Sequence, residues 1–192
     1  MNIPTTRAEL RKALLAQRHA FTTADEHGAA FAAAQLALSA QLRSLLQQME
    51  PEFVGIYWPM RGEFDAITAC LSDPMLAALP WGLPYAQKTP PHMHYRLWDK
   101  GPLSTTDECG VPTPSGPPCV PDILLVPCLG YATSGYRLGY GGGYFDRYLA
   151  AHPGITTIGI AWADGEITLE AFAPQPHDQP LTLVVTPRGV VC

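Results

Sequence analysis

Charge is what this sequence has least of. Asp, Glu, Lys and Arg make up 15% of its 192 residues, against ~25% in an average soluble domain. Cations are the scarcer sign, 12 Lys and Arg against 17 Asp and Glu. That balance argues against a protein that coats nucleic acid or an anionic membrane. Cysteine is also sparse. Cys70, Cys109, Cys119, Cys128 and Cys192 form an odd set with no CxxC pair, which speaks against a disulfide framework or a zinc knuckle. The expectation is a reducing cytoplasm and mostly inert thiols, with Cys128 in a packing role rather than lining a site. Long apolar runs are missing, and none approaches the ~20 residues needed to span a bilayer. Met1 to Arg7 has no basic start followed by an apolar run, so no secretory signal is expected.

What is present points to a folded core. Hydrophobic residues reach 47%, and disorder needs the opposite composition. A chain this long fits a single domain spanning residues 1–192, which would hide roughly 70% of its unfolded surface. Proline is abundant, with 20 residues where about 10 is average. Many short elements joined by stiff connections follow from that.

Two helices should open the chain. Thr6-Arg7-Ala8-Glu9 and Thr23-Ala24-Asp25-Glu26 both have capping-box spacing, so we expect helices from Arg7 to His19 and from Ala24 to Gln48. Leu38, Leu42, Leu45, Leu46 and Met49 give the second a core-facing stripe. Gly28 is a candidate bend near its start. Beyond Pro51, Phe53 to Trp58 reads as a buried strand and Asp65 as the N-cap of a helix through Leu71. Trp81–Ala86, Met93–Trp98, Ile123–Val126, Thr156–Trp162 and Leu181–Thr186 are further strand candidates. Lys100 to Pro121, rich in proline and glycine, reads as a surface excursion. Short strands apolar on both faces, alternating with helices, predict an α/β fold with a mainly parallel sheet flanked by helices.

The chemistry concentrates in residues 135–148. Gly139, Gly141, Gly142 and Gly143 strip side chains from the backbone, so amides can approach an anion and adopt left-handed angles freely. A helix expected from Gly143 to Ala151 would aim its free N–H groups at the same place. Arg137 adds a planar cation, and Asp146, in the first helical turn, could hold magnesium beside phosphate oxygens. The combination suggests a nucleotide polyphosphate site. It is not a Walker A loop, since no Gly-Lys pair occurs, nor a dinucleotide fingerprint, since Tyr144 stands where glycine is needed. The plainer alternative is a glycine-rich turn that lets a strand and helix pack.

The run RLGYGGGYFDRYL at residues 137–149 resembles the signature of the 5-formyltetrahydrofolate cyclo-ligase family, also called 5,10-methenyltetrahydrofolate synthetase. Arg7-x-x-Leu10-Arg11, Tyr57-Trp58-Pro59 with Glu63 and Asp65, Ile123 to Pro127, Ile158 to Ala161, and Pro176-His177-Asp178 fall in the family's order. The resemblance implies a single domain with a NagB/RpiA/CoA-transferase-like sheet and two N-terminal helices. It implies ATP- and magnesium-dependent cyclisation of 5-formyltetrahydrofolate, a ligase reaction of one-carbon metabolism, carried out by a monomer on small molecules. It also implies roles: ATP binding for Arg7, Arg11 and Arg137 through Phe145 (Leu138, Gly139, Tyr140, Gly141, Gly142, Gly143 and Tyr144 between them). Folate binding falls to Trp58, Glu63 and Tyr140 through Tyr144. Magnesium falls to Asp146 and Asp178, and direct catalytic roles to Arg137, Tyr144 and Asp146.

Without the resemblance these residues have simpler readings. Trp58 would be core, Glu63 a solvated first-turn acid, Asp178 a turn former, and Arg7 and Arg11 a solvated face. His92-x-His94 lacks a third ligand and reads as surface or substrate edge. Three departures from the family pattern stand out. Arg7 replaces the usual Lys, Tyr131-Ala132 replaces Phe-Asp, and Tyr144-Phe145 replaces Tyr-Tyr. An alternative is therefore a catalytically impaired folate- or nucleotide-binding protein on the same scaffold. A third possibility is a sugar-phosphate isomerase or coenzyme A transferase, which would not need this glycine run.

Overall fold

The computed structural model describes residues 6–23 and 28–191. Helix α1 (Arg7–Thr23) starts on a reciprocal capping box. The Thr6 hydroxyl accepts from the Glu9 amide at 3.2 Å, and the Glu9 carboxylate accepts from the Thr6 amide at 3.1 Å. Two amides that a helix start leaves without partners are thereby satisfied. The helix passes the expected end at His19, and Thr23 Oγ1 donates back to the His19 carbonyl at 2.7 Å. Helix α2 is described over Gly28–Met49. The expected start at Ala24 and its capping box lie outside the described residues. Leu38, Leu42 and Leu46 are fully buried, while Leu45 and Met49 flank them. The buried stripe is therefore narrower than the leucine count suggested.

An eight-stranded sheet forms the centre. From one edge to the other run β12 (Gly189–Val191), β11 (Leu183–Thr186), β10 (Thr156–Ile160), β7 (Ile123–Pro127), β1 (Val54–Gly55), β2 (Trp81–Gln87), β3 (His92–Trp98) and β6 (Pro118–Cys119). The five strands from β11 to β2 are parallel, and β12, β3 and β6 add antiparallel edges. Strand β7 shows why the centre is buried on both faces. Ile123 and Leu125 join the core under α2, α3 (Ala66–Leu71) and α4 (Pro74–Ala78). Leu124 and Val126 alternate to the other face and pack with Tyr148 and Leu149 of α5 (Tyr144–Ala151). Asp65 caps α3 as expected, accepting from Thr68 N at 2.9 Å. Asp73 caps α4, which the sequence reading passed over although Pro74 sits at its first turn.

Residues 100–121 lie mostly at the surface, as expected, but are ordered and tied down. They carry the small hairpin β4 (Thr105–Thr106) and β5 (Pro112–Thr113), and then edge strand β6. Asp107 and Thr113 are buried within the segment. Asp107 accepts from the amides of Ala86, Cys109 and Val111, and Thr113 donates to the Pro84 carbonyl. The proline-rich stretch is thus bonded to the edge of β2 and is not merely a surface excursion. No helix of the described residues is long and apolar enough to cross a membrane.

Sheet order locates the site. From β1 the chain passes to β2 on one side, then returns to β7 on the other. Strand order therefore reverses between β1 and β7, and ligands of open α/β sheets bind beyond the carboxyl ends of strands at such a point.

Candidate active site

A short hairpin, β8 (Gly130–Tyr131) and β9 (Arg137–Leu138), carries the chain from β7 into the glycine loop. Gly141 and Gly143 adopt φ of 96° and 64°, angles that side-chain-bearing residues avoid. Gly143 is the N-cap of α5 and offers no capping side chain. The first-turn amides of that helix have no intrahelical acceptor. Arg147 braces the loop from inside the helix, donating to the Gly142 carbonyl at 2.6 Å. From α1, Arg11 Nε donates to the Gly139 carbonyl at 2.8 Å.

Arg137 is buried and closes the loop from below. Its Nη2 meets Asp146 Oδ1 at 2.9 Å, and its Nη1 donates to the Gln179 carbonyl at 2.8 Å. The Gln179 amide also donates to Asp146 Oδ1. Asp146 Oδ2 accepts no hydrogen bond from the described residues. Asp178 differs, because Arg7 grips both its oxygens, at 3.2 and 2.5 Å, and the Gln175 amide adds a third donor. Burial acts to raise the Asp178 pKa, but these hydrogen bonds and the Arg7 charge outweigh it and hold the carboxyl below its ordinary value.

Glu63 follows β1. Its Oε2 accepts from the Met60 amide and its Oε1 from the Tyr140 hydroxyl, each at 2.8 Å. Burial pushes its pKa up, and the hydrogen bonds and the Arg18 and Arg61 charges recover only part of that shift. Trp58 is half-buried and packs against the main core. One cavity of about 570 Å³ is lined by Arg7, Arg11, Trp58, Glu63, Arg137, the loop from Leu138 to Phe145, Asp146 and Asp178. All the residues to which the resemblance assigns a binding or catalytic role therefore meet in one space, at the carboxyl ends of β1, β2 and β7.

The wall opposite was not anticipated. Asp107 and Cys109 from the proline-rich segment line the same cavity, as do Met93 and Arg61. Cys109 Sγ lies 3.3 Å from the Tyr144 hydroxyl. Arg18, a further α1 cation, donates to the Tyr140 hydroxyl at 3.0 Å. His92 and His94 stack on each other on β3, and neither lines the cavity. Cys128 is buried, with its thiol pKa pushed up to about 12 by desolvation, as a packing residue should be. Ala132 is buried among Leu10, Leu14, Leu138 and Phe172, so this chain has apolar packing where a carboxylate was expected.

Glycine amides and arginines beside a half-buried tryptophan and a half-buried carboxylate, all at a strand-order switch, define an α/β enzyme. Its two ligands would be one anionic and one ring-bearing. Comparison with known proteins narrows this. The model of the 5-formyltetrahydrofolate cyclo-ligase family matches residues 4–187. A 5-formyltetrahydrofolate cyclo-ligase of Mycolicibacterium smegmatis is 32% identical over 201 residues, covering 98% of this chain and 97% of that protein. A cyclo-ligase of Escherichia coli K12 is 35% identical over 69 residues, covering 36% of this chain and 38% of that one. The chain belongs to the 5-formyltetrahydrofolate cyclo-ligase family. The fold agrees with two solved 5,10-methenyltetrahydrofolate synthetases. That of Mycoplasma pneumoniae gives a TM-score of 0.70 at 21% identity, covering 95% of this chain and 99% of that one. That of Aquifex aeolicus gives 0.73 at 23% identity, covering 96% and 91%.

Proposed function

We propose that this chain cyclises 5-formyltetrahydrofolate to 5,10-methenyltetrahydrofolate with ATP, releasing ADP and phosphate. The observation that carries this reading is the single cavity in which the glycine loop and its arginines share walls with Trp58 and Glu63. A formamide is a poor electrophile and its oxygen a poor leaving group. Transfer of the γ-phosphoryl group to the formyl oxygen gives an iminium phosphate. The N10 amine of the same molecule attacks that carbon and loses its proton. Departure of phosphate carries the formyl oxygen away and leaves the methenyl bridge. Closure is intramolecular, so the protein's work is positioning and stabilising phosphoryl charge.

Arg11 has two guanidinium nitrogens without partners among the described residues, and it sits against Gly141. It is suited to phosphate oxygens, as are the loop amides. Arg7 is held by Asp178 and would reach phosphate beside it. Trp58 and Tyr144 offer ring faces, and Glu63 offers acceptors for pterin N–H groups. No group of three or more His, Cys, Asp or Glu that could hold a metal occurs among the described residues. Magnesium typically needs only one or two carboxylates when it shares phosphate oxygens and water. Asp146 fits that demand with its unpartnered oxygen. Asp178 fits it less well, because Arg7 already pairs with its charge. Bound there, magnesium would neutralise charge on the phosphates.

Purified protein with Mg-ATP and 5-formyltetrahydrofolate should give the absorbance rise of the methenyl product. Folate binding without that rise would favour an impaired binding protein instead.

A further inference from the structure

Arg18 lies on the same face of α1 as Arg7 and Arg11, because residues 7, 11, 14 and 18 recur at helical spacing. Leu14 on that stripe is buried, and Arg18 is only 6% exposed. A guanidinium removed from water must find acceptors in the protein. Arg18 has two. Its Nη2 donates to the Cys128 carbonyl at 2.5 Å, just beyond β7, and its Nη1 donates to the Tyr140 hydroxyl at 3.0 Å.

The consequence falls on Tyr140. A tyrosine hydroxyl can donate or accept, but arginine only donates. Beside Arg18 the hydroxyl must accept, so its one proton is directed to Glu63 Oε1 at 2.8 Å. Glu63 Oε2 is held by the Met60 amide. Each carboxylate oxygen thus has one protein donor and keeps lone-pair capacity for a ligand. The result is a fixed, planar acceptor pair suited to a ring that presents two adjacent N–H donors. Arg11 holds the neighbouring Gly139 carbonyl, so α1 pins the glycine loop at consecutive residues with different neighbours.

We propose that Arg18 is a positioning residue for the folate side of the cavity, fixing Glu63 through the Tyr140 hydroxyl. This rests on the reading of Glu63 as the acceptor for the pterin ring.

The test measures KM for 5-formyltetrahydrofolate and for ATP separately, folate Kd by calorimetry, and Tm, on wild type, Arg18→Lys, Tyr140→Phe and the double variant. Lysine keeps the charge, but its single nitrogen replaces a fork that bridges two acceptors. Arg18→Lys should weaken folate binding about tenfold, the scale of one hydrogen bond to a charged group. ATP KM should stay within about twofold, since Arg11 and the loop amides are untouched. Tyr140→Phe should weaken folate binding to a similar degree, and the double variant should add little to either. Folate and ATP constants moving in parallel would overturn the proposal, as would an unchanged folate Kd or effects that multiply in the double variant. Should Arg18→Lys fail to fold, Tyr140→Phe decides, because it leaves the bond to the Cys128 carbonyl in place. A wild-type folate Kd there would overturn the proposal. Wild-type turnover with no folate-selective effect sinks the positioning role alone. A wild type that neither binds nor turns over folate sinks the reading beneath it as well.

Discussion

Arg137 and Asp146 meet at 2.9 Å from opposite ends of the glycine loop. Arg137 lies in the second strand of the hairpin that leads into the loop, and Asp146 lies in the first turn of the helix that leads out. Gln179 bonds to both, by its carbonyl and its amide, so the loop and the segment carrying Asp178 are joined at one point. Asp146→Asn keeps an oxygen for these donors and should stay folded. It removes the charge facing a buried guanidinium, which should cost about 1–3 kcal/mol. That predicts a Tm lower by roughly 2–12 °C for a chain of this length. Magnesium-dependent turnover should fall by at least about 100-fold, as when one stabilising group is lost from a phosphoryl or oxyanion site. Methenyl formation across a magnesium titration, with Tm measured in parallel, checks both. Turnover retained at wild-type magnesium dependence would remove Asp146 from the metal site.

Gly141 tests the loop itself. Its φ is 96°, and an added Cβ would stand 3.3 Å from Arg11 Cζ. Gly141→Ala should therefore cost about 1–2 kcal/mol in backbone strain and push away the guanidinium suited to phosphate. Gly139→Ala is the control at a loop glycine, because a Cβ there meets nothing within 4 Å. The ATP KM should rise for Gly141→Ala by about tenfold or more and change far less for Gly139→Ala. Equal effects would mean that the close approach of Arg11 is irrelevant to nucleotide binding.

Asp178 and Arg7 predict an acid-dependent stability. Arg7 and the Gln175 amide hold the folded carboxyl below the ordinary aspartate value. Between the folded and unfolded values the unfolded chain binds more protons, so stability rises with pH through that window. The contribution is complete above the unfolded value and is lost as pH falls through the folded one. In Asp178→Asn the Tm deficit relative to wild type should be largest near neutrality and should shrink toward about pH 2. A deficit independent of pH would assign Asp178 a packing role only.

Much of the site could be read in the sequence because glycine spacing, the cap at Asp65 and the strand at Ile123 to Pro127 are local signals. Arg18 could not be read from any motif. Its signal is the helical repeat it shares with buried Leu14, and an arginine at such a position is ordinarily taken as solvated. The cavity wall from Asp107 to Cys109 was invisible for another reason. A proline-rich stretch announces irregular backbone, yet its place against β2 is fixed by long-range bonds from Asp107 and Thr113. Edge strands β6 and β12 are too short to show a period of two. At Ala132 the family pattern promised a carboxylate, and the neighbouring leucines explain how this chain packs without one.

Glu63 sets stability against function. Burial raises its pKa, and the Met60 amide, the Tyr140 hydroxyl and the charges of Arg18 and Arg61 only partly offset that. With the folded value above the unfolded one, the unfolded chain loses its proton first as pH rises. Stability therefore falls through that window, and an ionised Glu63 at neutral pH is a cost to the fold. Binding asks for the opposite, because only the carboxylate can accept from both its protein donors and a ligand's N–H groups. Folate Kd should weaken as pH falls, with a midpoint above the ordinary glutamate value of about 4.3. Glu63→Gln has one acceptor oxygen and an NH₂ group opposed to an N–H donor, so its folate Kd should be weaker by about tenfold or more near neutrality. It should also lack that acid limb, whereas any titration belonging to the folate itself would persist in both proteins. Calorimetric folate binding in both proteins, followed from neutrality down into the acid range, separates the two. An identical acid limb in wild type and Glu63→Gln would show that Glu63 does not face the ligand.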